Sequence, residues 1–301
     1  MFDAPIVKGQ ISPDYFIWPL VTLFGGNMLL GLFVQIFFKK DNSWIDAWWS
    51  LSFLLPNIVV FIIRAVNGIG ITARMWLITS CLAIWSLRLS IYIFVRHKRE
   101  DYRYKEMRED WTKQGVCVYY TKAFVFIYGM QGLFSLVNNA SVLYVNIWSS
   151  DIAPWNTQLT ALDFIGAAIW LTGFLIEVMS DRQLANHLAN PKPGTGKFIK
   201  SGLWRYSRHP NYFGEAVLWW GIFLIAVNVE YGWITFFSAG FINFLLRFVS
   251  GVPFPEKKYK NNPEWQQYCK ETNVFCLWFY KKPEGNEDEF LKNQVKHDET
   301  A

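Results

Sequence analysis

The chain of 301 residues is 52% hydrophobic and 19% aromatic, with 16 tryptophans and a formal net charge of +5. Those proportions exclude an ordinary soluble globular domain and point to a multi-pass membrane protein. Four cysteines without a CxxC pair and four scattered histidines offer no metal site, and no nucleic-acid partner is expected.

Seven stretches reach the roughly 20 apolar residues that cross a hydrocarbon core. They are 15–38, 45–64, 75–95, 123–148, 159–180, 212–229 and 231–250. The expected fold is therefore all-α, a multi-pass transmembrane helical bundle of about seven spans. It forms one membrane-embedded domain over 1–282, with a cofactor half at about 159–282 and a polar tail at 283–301. No basic segment with a small-residue cleavage site precedes the first span, so no cleaved signal peptide is expected.

The first span carries Gly25, Gly26 and Gly31, which allow close helix approach. The second opens on Asp46 with Trp48 and Trp49, interface anchors beside an unusual carboxylate, and contains Pro56 as a kink site. The third holds Arg88, seven residues before its inner end. At that depth an arginine needs an anionic partner or must snorkel to water. The mixed-charge loop RHKREDYRYKEMREDW follows and permits a helix on the membrane surface, with Tyr102, Arg103 and Tyr104 placed to cover a nucleotide. In the fourth span Gln131, Asn138 and Asn139 read as interhelical hydrogen-bonding groups.

The fifth span ends in FLIEVMSDRQLANHL, placing Glu177 and Asp181 at i and i+4 on one face. The loop PKPGTGKF imitates a P-loop but lacks both the hydroxyl residue after Lys197 and a preceding strand. Then comes SGLWRYSRHPNYFGE, in which Arg205, Arg208 and His209 crowd up to Pro210. Proline suits the first helical position, so Pro210 should open the sixth span beside three cationic groups, a ready site for an anion. The alternative is that the basic cluster only anchors a helix end to lipid headgroups. Asn211 and Glu215, again at i and i+4, lie one turn into the bilayer, where polar groups mark function by default. The seventh span has Arg247 near its inner end, and Pro255 to Trp265 suggests an amphipathic helix at the interface.

Charge placement orders the spans. One set of loops holds 24 of the 29 Lys and Arg and the other set only 3, which by the positive-inside rule puts the C-terminus on the inner side. Arg88, Glu177, Asp181, Asn211, Glu215 and Arg247 then fall within a few turns of the same inner surface. Gathered together, they would form a polar pocket open to a charged cofactor from water and a greasy substrate from lipid.

Four blocks in this order resemble the steroid 5-alpha-reductase-like family of membrane oxidoreductases: ARMWLITSCLAIWSLRLSIY with EDYRY, LDFIGAAIWLTGFLIEVMSD, SGLWRYSRHPNYFGEAVLWWG and SGVPFPEKKY. The resemblance implies seven to ten membrane helices with NADPH among the C-terminal ones. By motif, Asp181, Asn211 and Glu215 would contact nicotinamide and ribose, Arg205, Arg208 and His209 would face the phosphates, and Arg247 is a looser match. Glu177 and Arg88 complete the expected cofactor set. The implied reaction is hydride transfer to an alkene conjugated to a carbonyl in a steroid-like lipid. The carbonyl-polarising donor is not placed, and Tyr92 and Tyr104 are the candidates. The resemblance favours the endoplasmic reticulum. Two rival readings remain: a non-catalytic subunit of a larger membrane complex, contacted through its tail and located in the mitochondrial inner membrane, and a methyltransferase using S-adenosylmethionine. The latter would carry Glu-Glu where this chain has Glu256-Lys257.

Overall fold

The computed structural model describes residues 12–149, 158–190 and 198–279, so the expected polar tail at 283–301 and most of PKPGTGKF lie outside the described residues. Every regular element among the described residues is helical. In chain order they are α1 Asp14–Phe37, α2 Trp44–Val66, α3 Ala73–Arg96, α4 Tyr102–Lys113, α5 Val116–Lys122, α6 Met130–Asn138 and α7 Ala140–Trp148. There follow α8 Ala161–Ala189, α9 Pro210–Ala226, α10 Phe236–Phe244, α11 Pro253–Tyr259 and α12 Pro263–Glu271.

Among the described residues, five helical stretches are long and apolar enough to cross a membrane: Asp14–Phe37, Trp44–Val66, Ala73–Arg96, Ala161–Ala189 and Gly232–Tyr259. The other two expected spans are helical as well, but each departs from one uniform helix. Residues 123–148 form a π-helical turn at Ala123–Gly129, then α6 and α7 with a break at Asn139. Residues 212–229 give the 17-residue α9, which opens at Pro210 as its ring geometry favours.

The chain divides into two compact bodies, Met1–Phe174 with Glu215–Leu245, and Leu175–Gly214 with Leu246–Ala301. The first is built as membrane proteins are, with apolar side chains outward and polar ones inward. On α1 Phe16, Leu20, Leu29, Phe33 and Ile36 are exposed while Asn27 is fully buried. On α2 a polar side chain recurs every two turns, at Ser50, Asn57 and Arg64, each buried. All three find partners: Ser50 Oγ donates to Ser86 O at 2.8 Å, and Asn57 Nδ2 donates to Asn139 Oδ1 at 3.0 Å. Asn146 Nδ2 donates to Asn57 Oδ1 at 2.8 Å, and Arg64 Nη2 to Gly70 O at 2.7 Å. Without water in the bilayer, such pairs are what hold one helix to the next. They also account for Asn139, which at the helix break donates to Phe53 O at 2.8 Å, but not for Asn138, whose side-chain amide is buried without a hydrogen-bond partner.

A buried ion pair ties α3 to α8. Arg74 Nε and Nη2 meet Asp163 Oδ1 and Oδ2 at 2.8 and 2.9 Å, with both side chains fully buried. Asp163 Oδ2 also accepts from Thr160 N at 2.8 Å, half of a capping box at the start of α8.

Helices α8 and α9 touch backbone to backbone where Gly166 and Gly221 face each other. A Cβ on Gly221 would sit 2.5 Å from Gly166 O and from Trp170 N. Gly221→Ala is therefore expected to cost about 1–3 kcal/mol as the helices are forced apart. Thermal melting in detergent measures this, and an unchanged midpoint would show that the contact carries no strain.

The second body is smaller and organised by loops. Its apolar centre is Phe198, Trp265 and Tyr268, packed against Tyr259. Asn262 caps α12 by accepting from Glu264 N at 2.9 Å and Trp265 N at 3.2 Å, and Pro263 follows at the first helical position.

Candidate functional site

The second body holds most of the residues singled out from the sequence. Residues 181–189 continue α8 beyond its apolar stretch, so the helix carries Glu177 and Asp181, both buried, on one face. Asn211, in the first turn of α9, donates from Nδ2 to Asp181 Oδ1 at 3.3 Å. Its Oδ1 is buried and has no hydrogen-bond partner. A buried amide oxygen left in that state costs about 1–3 kcal/mol.

A second cluster surrounds Glu256 on α11. Arg208 Nε donates to Glu256 Oε1 at 2.8 Å, while its Nη1 donates to Thr272 O at 2.6 Å and Cys269 O at 3.3 Å. The guanidinium thus neutralises a carboxylate and closes the C-terminal carbonyls of α12, the helix end that favours a cation. His209 Nε2 lies 3.2 Å from the same Glu256 oxygen, and its ring stacks on Tyr212. Ser207 Oγ donates to Phe275 O at 2.6 Å, and Arg208 N to Asn273 O at 2.8 Å, so the strand-like segment 207–208 is sewn to the chain after α12.

His209 lies just outside the apolar stretch of α9, and burial pushes its pKa below the ordinary value, with Arg208 and Arg247 acting in the same direction against Glu256. A depressed histidine contributes stability that is complete above its unfolded pKa, about 6.5, and is lost as the pH falls from there through the folded value. Melting temperature should therefore drop as the pH falls below about 6.5. The drop should shrink in His209→Gln. An equal acid sensitivity in that variant would move the effect to another group.

The remaining expected residues are distributed as follows. Arg205 is exposed. Arg247 is half-buried in the π-helical turn Leu245–Val249, with its guanidinium 5.2 Å above the Phe248 ring. Glu215 is buried one turn beyond Asn211 on α9 and belongs to the first body, as does Arg88, whose guanidinium sits 5.1 Å above the Tyr92 ring. Of the two candidate donors, Tyr92 OH accepts from Arg96 Nη1 at 2.7 Å, and Tyr104 OH donates to Asp46 Oδ1 at 2.6 Å. Arg103 Nη2 completes that cluster at 3.0 Å from Asp46 Oδ2. Burial and the Asp46 carboxylate push the Tyr104 pKa well up, so the phenol stays protonated. Among the described residues no group of His, Cys, Asp and Glu could hold a metal.

Sequence reasoning missed Glu256 as the partner of Arg208. The signal was present only as a prohibition: a nine-tenths buried arginine needs a counter-charge, but nothing local says which of the distant carboxylates supplies it.

Comparison with known proteins settles the family. Residues 32–272 match a family model described as "Protein of unknown function (DUF1295)". The chain belongs to the DUF1295 family. Its family match contains the α8 acidic face and the 201–215 block, and includes Glu256. This DUF1295 chain is also homologous to 3-oxo-5-alpha-steroid 4-dehydrogenase 1. The protein from Homo sapiens is 38% identical over 121 residues, 38% of this chain and 41% of that protein. The one from Macaca fascicularis is 34% identical over 100 residues, 33% of this chain and 37% of that protein. The chain therefore spans about two fifths of the length of these relatives. An uncharacterized protein of Schizosaccharomyces pombe is 25% identical over 256 residues, 74% of this chain and 68% of that protein. No solved structure matches the DUF1295 chain.

Proposed function

We propose that the chain is a membrane-embedded reductase that transfers hydride from NADPH to the alkene of a lipid-soluble, steroid-like enone. The observation that carries this reading is the Asp181–Asn211 pair with its orphaned, buried Asn211 Oδ1. Homology to 3-oxo-5-alpha-steroid 4-dehydrogenase 1 supports the substrate class.

The residues present fit the cofactor. A nicotinamide carries a carboxamide with N–H donors, and Asn211 Oδ1 is an acceptor in need of one. The Asp181 carboxylate beside it, at 3.3 Å from Asn211 Nδ2, orients the amide so that its oxygen rather than its nitrogen faces the ligand. Glu177, one turn earlier on the same face of α8, would supply an acceptor for ribose hydroxyls, with Arg247 as a counter-charge. Arg208 and His209 hold Glu256 and the end of α12, and so fix where α9 begins. NADPH, when bound, supplies the hydride; the protein orients it and excludes water.

A second reading, a non-catalytic subunit of a membrane complex that keeps the reductase fold, draws on the same internal pairing. Arg208 is engaged by Glu256, and the Tyr104 phenol by Asp46. Titration of detergent-purified protein with NADPH, followed by the quenching of tryptophan fluorescence, separates the two. Saturable micromolar binding is expected. Absence of binding would remove the reductase reading and leave the scaffold.

A further inference from the structure

A notch on the second body, about 320 Å³, is lined by Lys200, Ser201, Gly202, Arg205, Tyr268 and Thr272, together with Glu271. We propose that it seats a phosphate group carried by an anionic phospholipid of the leaflet on the cation-rich side. The inference is independent of the reductase reading.

Depth is the first argument. The apolar sequence of α8 ends at Ser180 and gives way to Asp181, Arg182 and Gln183. The turn Gly202–Arg205 is pinned at that level: Trp204 Nε1 donates to Ser180 O at 3.0 Å, and Leu203 N donates to Gln183 Oε1 at 3.0 Å. Gly202 adopts a φ of +63°, and a Cβ there would lie 2.6 Å from Gln183 Oε1, so only glycine allows this fit. Lys200 and Arg205 are thereby held at the boundary between hydrocarbon and water, which is where lipid phosphates lie.

Chemistry is the second. The floor of the notch is internally satisfied: Tyr268 OH donates to Trp204 O, and Thr272 Oγ1 donates to Arg205 O at 3.3 Å. Glu271 accepts from Gln267 Nε2 at 2.6 Å, and Lys200 Nζ stands 4.0 Å from Glu264, the outer limit of an ion pair. A guanidinium, an ammonium and a hydroxyl on one rim match the oxygens of a phosphate. Lys200 and Ser201 also border a larger cavity of about 800 Å³ lined by Gln183, Asn186, His187 and Asn190, whose uncharged or weakly basic side chains suit the rest of a polar headgroup.

The third argument is the rim on the other side. Tyr206, Trp278 and Phe279 are 43, 63 and 77% exposed, and Trp278 N donates to Tyr206 O at 3.3 Å, which sets the aromatics next to Arg205. Exposed aromatic rings next to cations are the usual furniture of a membrane interface.

The test reconstitutes the full chain in nanodiscs of phosphatidylcholine mixed with phosphatidylserine and measures the lipid retained by the protein. Wild type should be enriched in phosphatidylserine, and Lys200→Gln with Arg205→Gln should lose about fivefold of that preference per cation removed. Lys200→Arg with Arg205→Lys should keep most of it, which separates charge from folding. Lys257→Gln with Lys258→Gln, on exposed lysines elsewhere, should leave it unchanged. Equal phosphatidylserine enrichment in wild type and the Lys200→Gln, Arg205→Gln variant would overturn the proposal. So would a variant that keeps its lipid preference but binds inorganic pyrophosphate or NADPH more weakly, because the notch would then serve a soluble phosphate.

Discussion

Replacing Asp163 by alanine should destabilise the protein by about 3–5 kcal/mol, because it strands the Arg74 guanidinium in a dry interior. Both side chains are fully buried, and Arg74 would keep contacts such as the 3.0 Å hydrogen bond from Nη2 to Gln158 O, which carries no charge. Alanine also removes the acceptor for Thr160 N at the start of α8, a loss of about 1 kcal/mol in its own right. Asp163→Asn retains an oxygen for that cap and should fall between the two. Replacing both partners with leucine should recover most of the loss, since a buried pair and a packed apolar pair are often close in energy. Thermal unfolding in one detergent checks the series. A double variant no better than Asp163→Ala would show that the pair acts through something other than its own charge.

Asn211→Ala and Asp181→Ala should each weaken NADPH binding by about 10- to 100-fold, equivalent to roughly 1.4–3 kcal/mol. Asn211→Ala removes the orphaned acceptor, while Asp181→Ala frees the amide to present either end. Asn211→Asp is the sharper variant. It sets a second carboxylate against Asp181, so affinity should fall at neutral pH and return in part as the pH is lowered. Asn211→Ala should shift the melting temperature little, because the bond between the two residues is long at 3.3 Å, whereas Asn211→Asp should lower it at neutral pH through the same repulsion. Three variants with wild-type affinity would take this pair out of the cofactor site.

The long helices could be read from hydropathy because a bilayer imposes one length and one composition on them. Residues 15–38, 45–64 and 75–95 correspond to α1, α2 and α3 within a few positions. The apolar stretch 159–180 does not mark the end of its helix, which runs on to Ala189, because hydropathy records the solvent of a segment rather than its conformation. Length alone marks 123–148 as able to tilt or break, but it does not say where. Tyr128 O in its π turn accepts from Asn27 Nδ2 of α1 at 3.2 Å, and Asn139 at its break donates to Phe53 O of α2, partners that are distant in sequence. Pro210 as a helix start was legible because the reason is local. The site divides in the same way. Spacing alone put Glu177 with Asp181 and Asn211 with Glu215 on shared helix faces. The choice of Glu256 by Arg208 was decided by tertiary folding 48 residues away.

The four thiols are all unpaired; Cys117 and Cys276 are exposed, while Cys81 is buried. The native chain thus carries its own pair of sidedness reporters. Four of the seven proposed crossings lie between Cys117 and Cys276, so an impermeant maleimide applied to sealed vesicles should modify both or neither. If either the interrupted path at 123–148 or the short α9 fails to traverse the bilayer, one thiol would react from each side.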